Sequence, residues 1–308
     1  MRTIRVATYN LYLGADVTTV FTVADAEELE AQAGRVLEQL LGTDFPSRAE
    51  AIARLLVREG VDVVGLQEVA RWSREVEPGR NEVWLDFLGE LLDALARAGA
   101  EYDVHALTES FRGGASVAGR EAMSVLGHNA ILVRRASGLG VLAERTGRFS
   151  TTLDVVTKVP GLVIDIARSW GWVDLAVDGR SVRLVNTHHE AWDDRVRALQ
   201  RDELLTAIAS PGIPVVVVGD FNEVPSKVGM PAEYVDAWAV AGDGGPGPTC
   251  GQRADLTGES NLAVRIDYVW ARDAEVTGCR VVGDRPEERT AAGLWPSDHA
   301  CVVADVQL

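Results

Sequence analysis

Apolar positions along the chain follow two periods in turn, and each apolar run ends on a polar residue. Residues 4–13, IRVATYNLYL, read as a buried strand that stops near Asn10. Residues 24–41 carry helical spacing with an acidic first turn. In FPSRAEAIARLLVREG, Ser47 stands as N-cap, Glu50 at the capping-box position and Gly60 as the stop. VDVVGLQE is then a short buried strand ending at Glu68, and residues 81–100 predict a second long amphipathic helix. From about residue 125 the texture turns to strands. NAILVRR is one, and residues 170–189 are two strands turned at Asp178-Gly179. Residues 192–209 are helical, IPVVVVGDFNEVPS is an apolar strand breaking into a loop, and RIDYVWARD and HACVVADVQL finish as strands.

Strands at both ends, with helices between strand pairs, predict an α/β four-layer αββα sandwich of two mixed β-sheets packed face to face. There is no internal repeat. GDGGPGP at 242–248 reads as a loop within one sheet system, so residues 1–308 are expected to form a single domain.

Composition narrows the partners. With 47% hydrophobic and 25% charged residues, a chain of 308 residues builds its core without disulfides. A net charge of −16 disfavours nucleic acid and anionic lipid as broad electrostatic partners. Three cysteines without a CxxC pair suit reduced thiols. The opening lacks an apolar signal core and no apolar run is long enough to span a membrane, so a cytoplasmic protein without a transmembrane segment is expected.

Chemistry gathers where strands stop. Asn10 follows RVATY, Gln67 and Glu68 follow VDVVGL, Asn186 and His188 follow VRLV, and Asp220 and Asn222 follow VVVVG. Near the C-terminus the order inverts: Asp267 begins DYVWA, and Asp298 and His299 precede ACVVADV. If the later strands run antiparallel to the earlier ones, all these groups meet at one sheet edge. Each motif alone also reads as an ordinary turn or strand end. Asp220 and Asn222, two apart, face one way while Phe221 packs inward, and a carboxylate beside an amide suits a hard cation or a held water. Glu68, Asn10 and Asp298 make an oxygen-rich shell for Mg2+ or Mn2+; zinc is disfavoured, because no His or Cys cluster has its usual spacing. Asp267 is the carboxylate that can hold one imidazole nitrogen of His299. On the strand before them, His188 shares a face with Leu184 and Asn186, while His189 shares the other with Val185 and Thr187.

The ordered set TYN, QE, NTH, GDFN, RIDYV and SDH resembles the endonuclease/exonuclease/phosphatase superfamily, the fold of pancreatic deoxyribonuclease. The resemblance spans nearly the whole chain and implies Mg2+-dependent phosphoester hydrolysis. It makes Glu68 the main metal ligand, supported by Asn10 and Asp298. Asp220 and Asn222 then orient or activate water, Asp267 and His299 form a carboxylate–imidazole pair, and His188 contacts the phosphoryl group and protonates the leaving group. Two departures stand out. The residue after NTH, often apolar in the family, is His189. The carboxylate partner that the deoxyribonuclease branch gives the NTH histidine has no evident counterpart, and His128 and Asn129 stand in that region instead.

Substrate contacts are expected from Asn186, from Arg112 and Arg120 in a glycine-rich loop over 110–121, and from Trp192 and Trp295, which flank the two histidine motifs. The favoured reading is a phosphatase or phosphodiesterase acting on a small or lipid-like organic phosphate. A metal-dependent nuclease and a biosynthetic enzyme redirected to a diphosphate are the alternatives.

Overall fold

The computed structural model describes residues 2–77, 80–115, 123–160, 162–209 and 212–308. The first sheet runs β13 (Glu275–Val282), β14 (Cys301–Gln307), β1 (Thr3–Asn10), β2 (Val63–Glu77), β5 (Met123–Arg134), β4 (Tyr102–Ala115) and β7 (Leu162–Asp165), with β3 (Arg80–Asp86) also paired to β2. The second runs β11 (Val235–Asp236), β12 (Asp267–Arg272), β10 (Val215–Asp220), β9 (Arg180–His188), β8 (Ser169–Val177) and β6 (Gly140–Arg148). The helices are α1 (Ala26–Gly42), α2 (Phe45–Glu59), α3 (Phe87–Arg97), α4 (Asp194–Ala207) and α5 (Ala237–Ala241). Both sheets are mixed: β1 pairs parallel with β2, and β9 with β10, while the flanking pairs are antiparallel.

Strand alternation builds the layers. Val6, Val63 and Ile131 of the first sheet meet Leu184, Val216 and Val218 of the second between the sheets. The opposite faces bury Ala7, Tyr9 and Leu66 under α2 and α3, and Val185, Val215 and Val217 under α4. Truncating a fully buried residue such as Leu184 to alanine costs about 2–5 kcal/mol. The sheets approach closely at Gly65, where a Cβ would lie 2.5 Å from Val218 and 2.7 Å from the amide oxygen of Asn186.

Several elements differ from the sequence pattern. β2 does not stop at Glu68: it slips by a bulge between Leu66 and Val69 and continues to Glu77. Its extension pairs with β3, so residues 81–86 are strand, and α3 starts only at Phe87 with Asp86 accepting from the Leu88 and Gly89 amides. Helix α2 begins at Phe45, ahead of Ser47, because Pro46 supplies first-turn geometry and Asp44 takes the cap position. Residues 110–115, read as loop, belong to β4 and pair with β5.

Candidate active site

Register brings the strand ends together. Asn10 lies opposite Gln67 across the parallel pair β1/β2, and Asp220 lies opposite His188 on one side and Asp267 on the other. Ser297 ties the two ends of the chain, its hydroxyl donating to the Asn10 carbonyl at 2.7 Å and accepting from the His299 amide at 3.2 Å. Buried Arg48 donates to the carbonyls of Leu11 and Pro296 at 2.7 and 2.9 Å, pinning the loops that carry Tyr12 and Asp298. Gly219 (φ +155°) is required where β10 passes β9, since a Cβ would sit 2.2 Å from the Thr187 carbonyl.

A cavity of about 290 Å³ opens at this edge, lined by Glu68, His188, Asp220, Asn222, Asp298 and His299 among others. Its rim carries unusual backbone strain. Of nine non-glycine residues with positive φ among the described residues, Tyr12, Glu68, Arg168 and Asn222 line it. Left-handed conformations cost free energy in such residues and persist where surrounding structure enforces them. At Glu68 (φ +54°) the bulge turns the carboxylate inward, where it accepts from the Leu13 amide at 2.9 Å.

Asp220 is held on every side. It accepts from the Asn222 amide at 2.8 Å and the Asn10 side chain at 3.1 Å, and its Oδ2 lies 3.4 Å from His188 Nε2 and 3.9 Å from His299 Nε2. Burial, reinforced by the charge of Asp267, pushes its pKa up to about 7. Asp267 accepts from His299 Nδ1 at 2.8 Å and from the Thr249 hydroxyl at 2.6 Å. Burial alone would lower the His299 pKa, but Asp267 holds it well above the usual imidazole value. His188 goes the other way: burial, then the neighbouring Arg168 cation, lowers it well below that value. Arg168 Nη1 lies 3.1 and 2.8 Å from the two ring nitrogens, so it straddles the ring instead of meeting one lone pair.

Asn10, expected as a metal ligand, has its amide engaged at both ends: Oδ1 accepts from the Tyr12 amide at 2.9 Å while Nδ2 holds Asp220. Asn186 lies behind the pocket as an inter-sheet tie. It donates to the Leu66 and Ala130 carbonyls at 2.9 and 3.0 Å and accepts from Gln67 at 2.6 Å, which leaves it no reach toward a substrate. Trp192 does wall the cavity, half exposed and edge-on to Phe21 at 5.5 Å. Trp295 does not: it is buried against Tyr12, Leu256 and Leu294, with Arg289 3.9 Å over its ring. Arg112 points away from the cavity into an ion pair with Glu109 on its own strand, and Arg120 falls outside the described residues. His128 and Asn129 are occupied by the Val69 carbonyl and by Ser169. No carboxylate other than Asp220 is paired with His188 among the described residues; Arg168 takes that place.

His189 turns to the opposite face of β9, between the rings of Phe149 and Phe221 at 5.5 and 4.7 Å, with its Nε2 unpartnered. Arg168 and Thr249 escaped the sequence reading. Thr249 follows no apolar run, and the positive φ of Arg168, which follows LVIDIA, leaves no mark in its residue type.

The acids fit a divalent cation. Asp220, Asp267 and His299 each bring one donor atom within 4.8 Å of the others, and the buried Asp267 Oδ1 has no hydrogen-bond partner. Burial and the nearby Glu68 charge lift Asp298 to about 6. Carboxylates crowded to this degree are relieved by a hard dication with oxygen preference.

Solved structures share the fold. D. rerio TDP2 in complex with single-strand DNA product is 16% identical over 100% of both chains, with a TM-score of 0.63. An endonuclease/exonuclease/phosphatase from Bacteroides vulgatus is 17% identical over 100% of both chains, at 0.62. The Bacteroides thetaiotaomicron mannosyl-6-phosphatase Bt3783 is 18% identical over 99% of this chain and 100% of that one, at 0.60. No curated protein matches the sequence. The deoxyribonuclease-type sandwich with this acidic and imidazole edge defines a metal-dependent hydrolase of phosphoester bonds. Residues 7–299 match the Endonuclease/Exonuclease/phosphatase family, and the chain belongs to it.

Proposed function

We propose that this protein is a phosphatase or phosphodiesterase acting on a small or lipid-like organic phosphate with Mg2+ or Mn2+, and that residues 1–308 act as one domain. One observation carries the substrate class. The 290 Å³ cavity is close to the size of small-ligand pockets, about 300–1,000 Å³, and Arg168 is the one arginine or lysine lining it among the described residues. A polynucleotide groove calls for a row of cations to match successive phosphates.

The residues then divide the work. Glu68 and Asp298 would hold the cation, with Asp220 lining the same cavity. A divalent cation held there would supply charge neutralisation at the phosphoryl oxygens. Asp220 and Asn222 align the attacking water, and Asn10 fixes the orientation of Asp220. Asp267 and Thr249 set the His299 ring so that its Nε2 faces the pocket carrying a proton. His299 is therefore the better proton donor to the leaving group. His188, kept neutral beside Arg168, hydrogen-bonds a phosphoryl oxygen. Arg168 supplies a fixed positive charge to the same oxygens. The unpaired cysteines, Cys250, Cys279 and Cys301, support a reducing, cytoplasmic setting, and no helix among the described residues is long and apolar enough to cross a membrane.

The mannosyl-6-phosphatase supports a small phosphoester, and the TDP2 complex supports a nucleic-acid product as the competing reading. Plasmid nicking, run beside a panel of small phosphoesters and diphosphates with Mg2+, separates them. Hydrolysis of small esters to the alcohol and either orthophosphate (from a monoester) or a phosphomonoester (from a diester), lost in Glu68→Ala, is expected. Nicking that Glu68→Ala abolishes, with the small-ester panel inert, would make the protein a nuclease, and pyrophosphate release from a diphosphate would make it the redirected enzyme.

A further inference from the structure

A second cavity of about 460 Å³ lies beside the catalytic one. Its walls come from α1, β4, β5 and β7, and they include Leu29, Val36, Trp72 and Ile164, with Glu30 and Ser124 among its few polar contributors. Val17, Phe21 and Phe111 line both cavities. Val17, Phe21 and Phe111 are thus a shared apolar wall between the polar pocket and an apolar chamber within the drug-ligand range, about 300–1,000 Å³. Small-molecule sites are concave and mostly apolar with a few convergent polar groups, which this pair of cavities provides. The shared wall lies on the Trp192 side of the catalytic pocket, since Phe21 meets Trp192 edge-on.

Resting on the hydrolytic reading above, we infer that the substrate is amphiphilic: its phosphoester head sits among Glu68, Asp298 and His299, and its hydrocarbon chain passes Phe21 and Phe111 into the α1–β4 chamber. The occupant is the tail of the same molecule, because the two cavities share walls. A sugar phosphate or a nucleotide would leave the chamber unfilled, and a polynucleotide has no apolar segment to place there.

The test is a series of n-alkyl phosphates from butyl to dodecyl, assayed with Mg2+. Burying each added methylene contributes up to about a fourfold gain in affinity, so kcat/KM should climb steeply with chain length and level off once the chamber is full. Ala33→Trp, on the α1 wall, should flatten the series. Gly34→Trp provides a second obstruction at a position where a Cβ meets nothing within 4 Å, and an unchanged melting temperature separates obstruction from misfolding. Calorimetry with the matching alkylphosphonates, which are not hydrolysed, should give the same chain-length slope in Kd. Hydrolysis of the small-phosphoester panel with a flat chain-length profile overturns the inference and leaves the hydrolytic reading standing. A slope in phosphonate affinity without turnover of any ester overturns the hydrolytic reading alone and supports the tail chamber. Alkanols binding as tightly as phosphonates of equal length would detach the chamber from the catalytic pocket and overturn the inference.

Discussion

The two sheets meet the catalytic pocket with different kinds of edge. On the first, Glu68 and Asp298 are half-buried and sparsely held: Glu68 accepts one backbone amide, and Asp298 a long contact from Ser297 at 3.3 Å. On the second, Asp220 and Asp267 are 1% exposed and cross-linked to Asn10, Asn222, Thr249 and His299. An edge with open lone pairs can accept an ion from solvent and let it exchange. An edge whose carboxylates are cross-linked, with Asp267 Oδ1 left unpartnered, can hold a water and an imidazole at fixed angles, at little cost in reorganisation during the reaction. The division of labour proposed above follows from that contrast, and substitutions on the two edges should fail in different ways.

Glu68→Gln should have the largest effect. It keeps the shape and the hydrogen bond to Leu13 but removes the charge. Losing an ion worth several kcal/mol of charge stabilisation lowers kcat/KM by about 10³–10⁴-fold. Calorimetric titration with Mn2+ should show the binding weakened in parallel, and partial recovery of activity at high metal concentration is expected. If the variant binds Mn2+ like the parent, the open edge is not where the ion enters.

Asp267→Asn tests the closed edge. Asparagine keeps the contact to His299 Nδ1 but no longer favours the protonated ring, so kcat should fall about 10²–10³-fold with Mn2+ affinity nearly preserved. A Thr249→Val variant should shift the same way by less, because it removes the hydroxyl's bonds to the Asp267 carboxylate and to the Ile266 and Asp267 amides but leaves the charge. Loss of metal binding in Asp267→Asn would mean that Asp220, Asp267 and His299 hold the ion themselves, as their 4.8 Å clustering permits. The roles of the two edges would then be exchanged.

Much of this edge was legible in the sequence because one physical rule produces it. An apolar strand buried between layers ends where a polar residue reaches the sheet margin, so Asn10, Glu68, His188, Asp220, Asp267 and His299 announce themselves by position. Period-two alternation likewise separated His188 from His189. What depends on backbone turns and on packing stayed hidden. Arg168 precedes β8, and its place beside His188 depends on a backbone turn at φ +23° that any residue type conceals. Trp295 and Trp192 look equivalent in sequence, each near a histidine motif, yet one is 1% and the other 51% exposed. Burial of an aromatic depends on what packs over it, here Arg289 and the sequence-distant Leu256. Asn10 and Asn186 were legible as site-proximal but not as hydrogen-bond ties, because an amide suits both uses.

The mildest test concerns the histidine pair itself. His188→Ala should lower kcat by about 10²-fold, whereas His189 touches only the packing behind the strand. Its pKa is lowered to about 3 by burial first and then by Arg168. Above pH 6.5, the ordinary imidazole value, His189 is neutral both folded and unfolded, and its full contribution to stability is present. As the pH falls from about 6.5 toward 3, the unfolded chain takes up a proton that the folded chain refuses, so stability drains away across that window. Each unit of separation is worth about 1.4 kcal/mol. His189→Phe removes the titration and the unpartnered Nε2, at the expense of a slightly larger ring between Phe149 and Phe221. Near pH 7 the parent should melt at an equal or higher temperature. By pH 4 the order should reverse, with phenylalanine the more stable, and turnover at neutral pH should stay far closer to the parent than that of His188→Ala. Parallel Tm curves across the window would mean that His189 is not kept neutral by its aromatic surroundings. Comparable losses of turnover in the two variants would break the two-face assignment of β9, and with it the contrast between a strand face that does chemistry and one that only packs.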